Sequence, residues 1–205
     1  MFHNRKDAGK SLASSLNKYK NDEAIILAIP RGGVEVGYEV AKSLNVDFSI
    51  LVSRKLPMPD NPESGFGAVA EDGSLFMINE AEKWLSKNAI DRIISEQKNI
   101  VKDRIKSLRN DEPLPDLKNK TVILVDDGIA MGSTMRASIK LCKKQEAGKI
   151  IVAVPVTDKR VRNEIAALVD EIIVLETPPV FRAVAQVYEN WYDVSDREVL
   201  NILRD

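Results

Sequence analysis

Two adjacent carboxylates, Asp126 and Asp127, lie in the part of the sequence best suited to chemistry. They follow an apolar run over 121–125 that has the character of a strand buried on both faces. The residues after them are small or hydroxylated: Gly128, Ala130, Gly132, Ser133 and Thr134. Carboxylate oxygens accept hydrogen bonds from sugar hydroxyls, while glycines and the free N–H groups at a helix start favour a phosphate. The segment therefore predicts an anion pocket beside a polyol pocket.

Strands that alternate with helices position this segment. Apolar runs predict strands at 24–29, 46–53, 121–125, 150–156 and 171–175. Apolar residues at helical spacing predict helices at 6–19, through 36–44, at 88–110, through 135–147, at 159–168 and after Ser195. This alternation indicates an α/β fold in which helices flank a mainly parallel, twisted sheet. With 205 residues, a single domain over 1–205 is expected.

Turn signals divide the remaining segments. Residues 56–65 contain three prolines and a glycine and are predicted to be loop. Asp72-Gly73 lies between the apolar runs 66–70 and 75–78, which predicts a β-hairpin. Ser195 and Glu198 have the spacing of a capping box at the start of the last helix.

Polar residues follow the predicted strands where they end. Arg31-Gly32-Gly33 follows the first strand, Arg54-Lys55 the second, and Thr157-Asp158-Lys159-Arg160 the strand after the acidic pair. In open parallel sheets ligands bind at the carboxyl ends of the strands, so these groups are expected to meet along one edge. Cationic donors, two carboxylates and two glycine loops suit a sugar that carries phosphates at both ends.

Each of these segments also has a purely structural interpretation. The acidic pair can form a capped turn, and Gly32-Gly33 can simply begin a helix. Taken alone, Arg54-Lys55 fits a solvated strand end better than a site, and Asp158-Lys159-Arg160 fits a helix start better. The first three segments together nevertheless favour a binding site.

Composition excludes several classes of protein. The net charge of −1 gives no support for contact with nucleic acid or an anionic membrane. The single histidine, His3, is expected on the surface, which argues against hydrolases that depend on histidine. The single cysteine, Cys142, excludes an internal disulfide and is predicted to be buried. Neither an apolar run of about 18 residues nor a signal peptide is present, so a cytoplasmic location is expected.

Two common nucleotide-binding motifs do not match. The 128–134 loop has one residue too few between its glycines for a Walker A motif, and Ser133 stands where that motif needs lysine. A G-x-G-x-x-G motif is absent from the sequence, so dinucleotide binding has no support.

The sequence VILVDDGIAMGST, residues 122–134, resembles the phosphoribosyl pyrophosphate (PRPP) motif of the type I phosphoribosyltransferases. That motif consists of apolar residues, two acidic residues and a short loop that usually ends T-G-[GS]-T. Residues 30–33, PRGG, resemble the family's first loop, which holds pyrophosphate through backbone N–H groups and often contains a non-proline cis peptide. Residues 53–57, SRKLP, resemble a strand end of adenine phosphoribosyltransferases where basic side chains face pyrophosphate. The match extends over about 24–175, and the whole chain looks most like a bacterial and archaeal branch of the family.

The resemblance implies the fold of that family, with a Rossmann-like core and a small hood, and a role for each matching residue. Asp126 and Asp127, the implied catalytic residues, would bind the ribose 2- and 3-hydroxyls, directly or with Mg²⁺. Because neighbours on a strand point to opposite sides, these two are expected to diverge and not to share a proton. The implied 5-phosphate loop comprises Gly128, Ala130, Met131, Gly132, Ser133 and Thr134. The implied pyrophosphate ligands are Arg31, Gly32, Gly33, Arg54 and Lys55.

The implied activity is a pentosyl transfer from PRPP to a nucleobase or similar nitrogen acceptor, with release of pyrophosphate and with Mg²⁺ bound mainly through PRPP. The ribose would pass through an oxocarbenium-like state while negative charge grows on the leaving pyrophosphate. The implied partners are therefore small molecules, while the charge balance gives no reason to expect nucleic acid or a membrane.

Departures from the family pattern keep alternatives open. Met131 replaces the usual threonine and removes a hydroxyl donor, whereas Ala130 replaces the aspartate with which 6-oxopurine enzymes handle the base proton. Residues 56–65 take the place of the family's flexible lid, and Asp60 and Glu63 there lack a family counterpart. A PRPP- or nucleotide-binding regulator without turnover is thus the main alternative. A hydrolase or phosphorylase of phosphoribosyl compounds is the second alternative.

The acceptor site is expected in the hood, which 1–20 and 177–194 would form. This region contains Phe181, Tyr188, Trp191 and Tyr192, which could stack on a base. Core packing or a homodimer interface is the competing interpretation of these aromatic residues.

Overall fold

The computed structural model describes residues 1–204, in which eight strands form two sheets. The strands are β1 (Ala24–Ala28), β2 (Asp47–Ile50), β3 (Ser53–Met58), β4 (Asn61–Ala70), β5 (Leu75–Met77), β6 (Thr121–Val125), β7 (Lys149–Val156) and β8 (Glu171–Glu176). The larger sheet is entirely parallel, with the order β2-β1-β6-β7-β8, and the smaller one is antiparallel, with the order β3-β4-β5. The predicted α/β fold class is therefore confirmed.

Helices cover both faces of the parallel sheet. They are α1 (Arg5–Ser15), α2 (Gly32–Leu44), α3 (Ala81–Trp84), α4 (Lys87–Arg109), α5 (Ser133–Lys144), α6 (Lys159–Ala166) and α7 (Asp196–Arg204). Side chains alternate along each strand, so Ile26 of β1 packs with α1 and α2, whereas Leu27 packs with α5 and α6. Because the central strands are buried on both faces, they have the continuous apolar runs from which they were predicted.

The second predicted strand, 46–53, is wrong in its extent because two strands are merged in it. Strand β2 ends at Ile50, and the N–H of Leu51 still bonds to the Ala28 carbonyl oxygen at 3.0 Å. The N–H of Val52 instead donates to the Glu71 carboxylate at 2.8 Å, and Ser53 begins β3 in the other sheet. Both Leu51 and Val52 are fully buried, so hydrophobicity does not mark the point where the chain changes sheets.

The prediction of a loop over 56–65 is also wrong, since β3 and β4 extend through most of this segment. Pro57 is tolerated because β3 is an edge strand, where one ladder hydrogen bond can be missing. The strand pairing shifts register on both sides of Pro57. The predicted hairpin at Asp72-Gly73 is confirmed, and Gly73 has the positive φ of 86° that such a turn favours.

The antiparallel sheet is held between two helices and the carboxyl-terminal segment. It packs with α4 and α7 in one apolar cluster, which contains Leu56 and Phe66, and it also contacts α5. The predicted capping box of α7 is confirmed, because the Ser195 N–H donates to Glu198 at 2.8 Å and the Glu198 N–H donates to Ser195 Oγ at 3.3 Å. Within residues 1–204, every helix is too short or too polar to cross a membrane.

Candidate active site

The first glycine loop lies directly against the acidic pair because β1 and β6 are neighbours in the sheet, with Ala28 paired to Val125. The Pro30–Arg31 peptide bond is cis, as the resemblance implied, and α2 begins at Gly32. A Cβ on Gly32 would overlap the Asp127 carboxylate, and a Cβ on Gly33 would lie 2.9 Å from Asp126 Oδ1. Only glycine fits without displacement at these two positions.

A cavity of about 260 Å³ opens beside the acidic pair. Of the site residues predicted from sequence, those that line it are Lys55, Asp126, Gly128, Ala130, Met131, Gly132, Ser133 and Thr134. Further residues in its wall are Glu63 and Gly65 from β4, Ile129 from the loop and Val184 from the segment after β8. The cavity thus has a carboxylate and a small-residue loop on one side and a lysine from β3 on the other.

The 128–134 loop has the geometry of an anion site. Gly132 has a φ of 75°, and α5 begins at Ser133, so the first N–H groups of a 12-residue helix have no partner within the helix. Arg136 holds the loop from behind, because its Nη1 donates to the Met131 carbonyl oxygen at 2.7 Å while its Nη2 pairs with Glu164 on α6. The Met131 side chain itself is 62% exposed.

Asp126 presents its carboxylate to this cavity in a partly buried position. Its Oδ1 accepts a hydrogen bond from the Asp127 N–H at 2.9 Å. Burial, followed by the negative charge of Asp127, raises the pKa of Asp126 well above its usual range. The negative charge on Asp126 therefore destabilises the protein unless a bound ligand offsets it.

Asp127 is not among the residues that line the cavity, and it binds the first helix. Its Oδ2 accepts a hydrogen bond from Arg5 Nε at 2.8 Å, and its side chain is 15% exposed. Burial raises the pKa of Asp127, and the Arg5 charge opposes that rise. The prediction that the two carboxylates diverge and share no proton is wrong, because the Asp126 and Asp127 side chains are hydrogen-bonded to each other, which favours the protonated form of Asp126 and the charged form of Asp127. Both residues follow the end of β6 at Val125, so the alternation of strand side chains does not apply to them.

The arginines among the predicted pyrophosphate ligands have other neighbours. Side chains alternate along β3, so Lys55 lies at the cavity and Arg54 lies on the side of α4. Lys55 Nζ donates to the Glu63 carbonyl oxygen at 2.6 Å. Arg54 Nε donates to Gln97 Oε1 at 3.0 Å, and burial together with the Arg31 charge lowers the Arg54 pKa. The Arg31 side chain faces Asp196, with an N–O distance of 3.7 Å. The pair Arg54-Lys55 lies inside β3 and not, as predicted, at the end of a parallel strand.

Comparison with known proteins identifies the family. The model of the phosphoribosyl transferase domain family matches residues 2–190. The chain belongs to the phosphoribosyl transferase family.

Several relatives support this assignment. Two Mycobacterium tuberculosis proteins, whose provisional names class them as phosphoribosyl transferases, are each 36% identical over 205 residues, which is 99% of this chain and 46% of theirs. This chain therefore spans about half the length of the curated relatives it matches. The crystal structure of the protein TT1426 from Thermus thermophilus is 32% identical, with a TM-score of 0.83 and coverage of 99% of this chain and 97% of that chain. The fold is also similar to that of the hypoxanthine-guanine phosphoribosyl transferase of L. donovani, which is 11% identical, with a TM-score of 0.51 and coverage of 91% and 90%.

In this phosphoribosyl transferase domain, the residues after β7 have structural contacts. The Thr157 hydroxyl donates to the Ile129 carbonyl oxygen at 2.8 Å, which fixes the start of the 128–134 loop. Asp158 is the N-cap of α6 and accepts a hydrogen bond from the Val161 N–H at 2.8 Å. Arg160 pairs with Glu164 on the same helix at 2.9 Å. The helix-start interpretation of 158–160 therefore agrees with these contacts.

The aromatic residues after β8 contact Phe2, the start of α1 and α2. Tyr188 is buried against Phe2, and Trp191 stacks on the Arg5 guanidinium at 4.0 Å. The Tyr192 hydroxyl donates to Glu35 Oε1 at 2.7 Å. Val184, not one of these aromatics, contacts the cavity.

Sequence reasoning did not identify Arg5, although the sequence contains a signal for it. Arg5 is in helical register with Ala8 and Leu12, which lie on the buried face of α1, and it is itself only 3% exposed. An arginine in line with a buried stripe needs a carboxylate or several acceptors elsewhere in the fold. The partner, 122 residues away, follows only from the tertiary structure.

Proposed function

We propose that this protein transfers the 5-phosphoribosyl group of PRPP to a nitrogen acceptor and releases pyrophosphate. The observation that carries the proposal is a single cavity lined by the Asp126 carboxylate, the 128–134 loop and the Lys55 side chain. These groups match the three parts of PRPP, namely its ribose hydroxyls, its 5-phosphate and its pyrophosphate. Family membership supports the same reaction class.

The residues of the cavity would stabilise charge separation at C1 of the ribose. Backbone N–H groups at the start of α5 and the Ser133 and Thr134 hydroxyls would hold the 5-phosphate. Asp126 would accept hydrogen bonds from the ribose hydroxyls, and its negative charge would favour the oxocarbenium-like state. Lys55 would bind the departing pyrophosphate from the cavity, and the Gly32–Gly33 loop, which does not line the cavity but packs against Asp126, would add backbone N–H groups.

Magnesium would reach this site together with the ligand. In residues 1–204, there is no group of three or more His, Cys, Asp or Glu side chains that could hold a metal ion. Mg²⁺ keeps most of its ligands as phosphate oxygens and water and needs only one or two carboxylates, so the Asp126 carboxylate at the cavity fits this role. The bound ion would neutralise charge on the leaving pyrophosphate.

We infer an acceptor other than a 6-oxopurine. Ala130 lines the cavity at the position where enzymes for those bases carry an aspartate, so a carboxylate for the base proton is missing at this position. Val184 provides an apolar wall beside Gly128, against which a flat base could pack.

A panel of nucleobases and simple nitrogen compounds, with Mg²⁺ and PRPP, tests the transferase activity by the pyrophosphate released. We expect turnover with at least one acceptor and a large loss in Asp126→Asn. Asp91→Asn is the matched control, since Asp91 is exposed on α4. Equal pyrophosphate release by both variants would contradict the proposal.

A regulator that binds PRPP or a nucleotide without turnover is the second candidate. The observation that favours it is Met131, an exposed apolar side chain in the loop where the family usually has a threonine. Tight binding of Mg²⁺·PRPP without pyrophosphate release from any acceptor would support this candidate. For both candidates we propose small molecules as ligands and a cytoplasmic location.

A further inference from the structure

Three ionisable residues line the cavity beside the acidic pair, within the part of the chain that the structure describes. They are Lys55, Glu63 and Asp126. Lys55 and Asp126 have roles in the proposed transfer, as ligands of the pyrophosphate and of the ribose hydroxyls. Glu63 has no role there, and the family resemblance implies none for it. Its carboxylate is therefore the ionisable group of the cavity that still needs an explanation.

A bulge in β4 brings Glu63 to the cavity. Two consecutive residues of β3, Pro57 and Met58, pair with residues of β4 that are four positions apart. The three residues between those partners, 62–64, face no residue of β3, and Glu63 is the middle one. Bulges re-aim side chains and are common next to active sites. The irregular pairing of this hairpin thus has a direct effect on which residues reach the cavity.

Hydrogen bonds and packing fix the backbone of the bulge. Lys55 Nζ donates to the Glu63 carbonyl oxygen at 2.6 Å, and Asn61 Nδ2 donates to Ser64 Oγ at 3.1 Å. A Cβ on Gly65 would lie 2.5 Å from Lys55 Cγ, so the stem of this lysine passes directly over the glycine. The Glu63 residue is exposed, and over residues 1–204 its carboxylate makes neither a hydrogen bond nor an ion pair. The carboxylate is therefore free to bind a substrate.

The proposed transfer needs a group that accepts a proton. The lone pair of the acceptor nitrogen forms a bond to C1 of the ribose, and the C1–O bond breaks with its electron pair leaving on pyrophosphate. A nitrogen that carried a hydrogen is then cationic and must lose that proton to give a neutral product. A carboxylate within reach of the nitrogen is a suitable general base.

We propose that Glu63 is the general base that takes this proton from the acceptor nitrogen. The 128–134 loop contains no carboxylate, since Ala130 stands where 6-oxopurine enzymes carry an aspartate. Glu63 supplies a carboxylate from the side of the cavity that β3 and β4 form. The proton moves from the nitrogen to a Glu63 carboxylate oxygen and then to water after the product leaves.

This assignment also defines the class of acceptor. The acceptor is a compound whose reacting nitrogen carries a hydrogen, such as an azole, an amide-type base or an amine. The inference rests on the proposed function, because it requires PRPP in the same cavity. A different role for Glu63, as a ligand of the Mg²⁺ that accompanies PRPP, predicts instead that its loss weakens the binding of Mg²⁺·PRPP.

Kinetics and calorimetry of the full chain separate these roles. With Mg²⁺, PRPP and N–H acceptors, beginning with adenine and imidazole, we expect Glu63→Gln to lower kcat for pyrophosphate release at least about a hundredfold. The Kd for Mg²⁺·PRPP should stay within about threefold of wild type, since a general base contributes to the transition state and not to donor binding. Asp60→Asn is the matched control, because Asp60 is an exposed carboxylate in the turn of the same hairpin and does not line the cavity.

Two results would overturn the inference while leaving the proposed function intact. One is an equal kcat for Glu63→Gln and Asp60→Asn with an acceptor that wild type uses. The other is a large loss of Mg²⁺·PRPP affinity in Glu63→Gln, which would indicate a metal ligand. By contrast, absence of turnover by wild type with every acceptor would overturn the proposed function and this inference together.

Chemical rescue gives a readout that a merely structural role would not produce. Glu63→Ala leaves space for a small carboxylate, so added formate should raise its kcat by about tenfold or more. Formate should leave wild type and Asp60→Asn unchanged. Thermal melts show that the variants are folded, as expected for substitutions at an exposed position. A Glu63→Ala protein that is folded and inactive at every formate concentration would contradict the role of Glu63 as the base.

Discussion

Gly33 lies against Asp126 so closely that a Cβ at position 33 would stand 2.8 Å from the Asp126 Cα atom and 2.9 Å from Oδ1. The contact exists because β1 and β6 are hydrogen-bonded neighbours whose carboxyl ends are level with each other. The glycine loop and the acidic pair are thereby one structural unit, although they are far apart in the sequence.

Substitution of Gly33 by alanine tests this contact. The added methyl group must displace backbone or the Asp126 carboxylate, so we expect a loss of about 1–3 kcal/mol in the free energy of unfolding. The displacement should also weaken Mg²⁺·PRPP binding. Urea denaturation measures the first effect and calorimetry the second. A Gly33→Ala protein with wild-type stability and affinity would show that the loop is not packed against the pair in this way.

Substitution of Asp126 by asparagine is expected to stabilise the protein. Burial raises the Asp126 pKa above its ordinary value of 3.8, so the folded state binds this proton more tightly than the unfolded chain does. The free energy of unfolding therefore falls as the pH rises from the ordinary pKa to the raised one, and the penalty is complete above the latter. Asparagine is neutral at every pH and avoids this penalty.

Melting temperatures of wild type and Asp126→Asn across pH 4–8 measure the effect. The variant should melt higher than wild type at pH 8, and the difference should shrink as the pH falls towards 4. A variant that is less stable than wild type at pH 8 would contradict the raised pKa.

Arg136 is expected to hold the 128–134 loop in the shape that binds PRPP. Arg136→Gln removes the hydrogen bond to the Met131 carbonyl oxygen and should raise the KM for PRPP by about tenfold or more, since hydrogen bonds from charged donors contribute about 1.5–3 kcal/mol. Arg160→Gln is the matched control, because Arg160 pairs with the same Glu164 but is 65% exposed. Steady-state kinetics should show little change for the control. Similar KM values for both variants would mean that the loop keeps its shape without Arg136.

The side chain at position 131 is expected to limit affinity for PRPP. Met131→Thr introduces a hydroxyl donor at an exposed position of the loop and should tighten binding by up to about tenfold. Met131→Val has nearly the same shape as the threonine variant without the hydroxyl, so it isolates the donor. Calorimetry should rank threonine above valine. If the two variants bind equally, the hydroxyl is not used at this position.

The sequence was sufficient to predict the features that depend on local pattern. The central strands β1, β6 and β7 are continuous apolar runs because both of their faces are buried, and the small residues of 128–134 occur where the backbone lines the cavity. The boundary after Ile50 was missed because Leu51 and Val52 remain apolar and buried while the chain passes from one sheet to the other. Prolines suggested a loop at 56–65, yet Pro57 is on an edge strand that tolerates it.

Contacts between segments that are far apart in the chain could not be predicted from the sequence. Alternation along β3 separates Lys55 from Arg54, but the sequence does not show that β3 lies between the cavity and α4. The ion pair of Arg5 with Asp127 similarly depends on how α1 packs beside the sheet. Such pairs are determined by the tertiary arrangement and not by periodicity.

The most direct test of the central claim is a calorimetric titration of Mg²⁺·PRPP into wild type and Asp126→Asn, with Asp91→Asn as the control. The account predicts saturable binding to wild type and to the control and a loss of at least about tenfold in affinity for Asp126→Asn. Absence of binding to wild type, or equal affinity in all three proteins, would contradict the assignment of this cavity as a PRPP site.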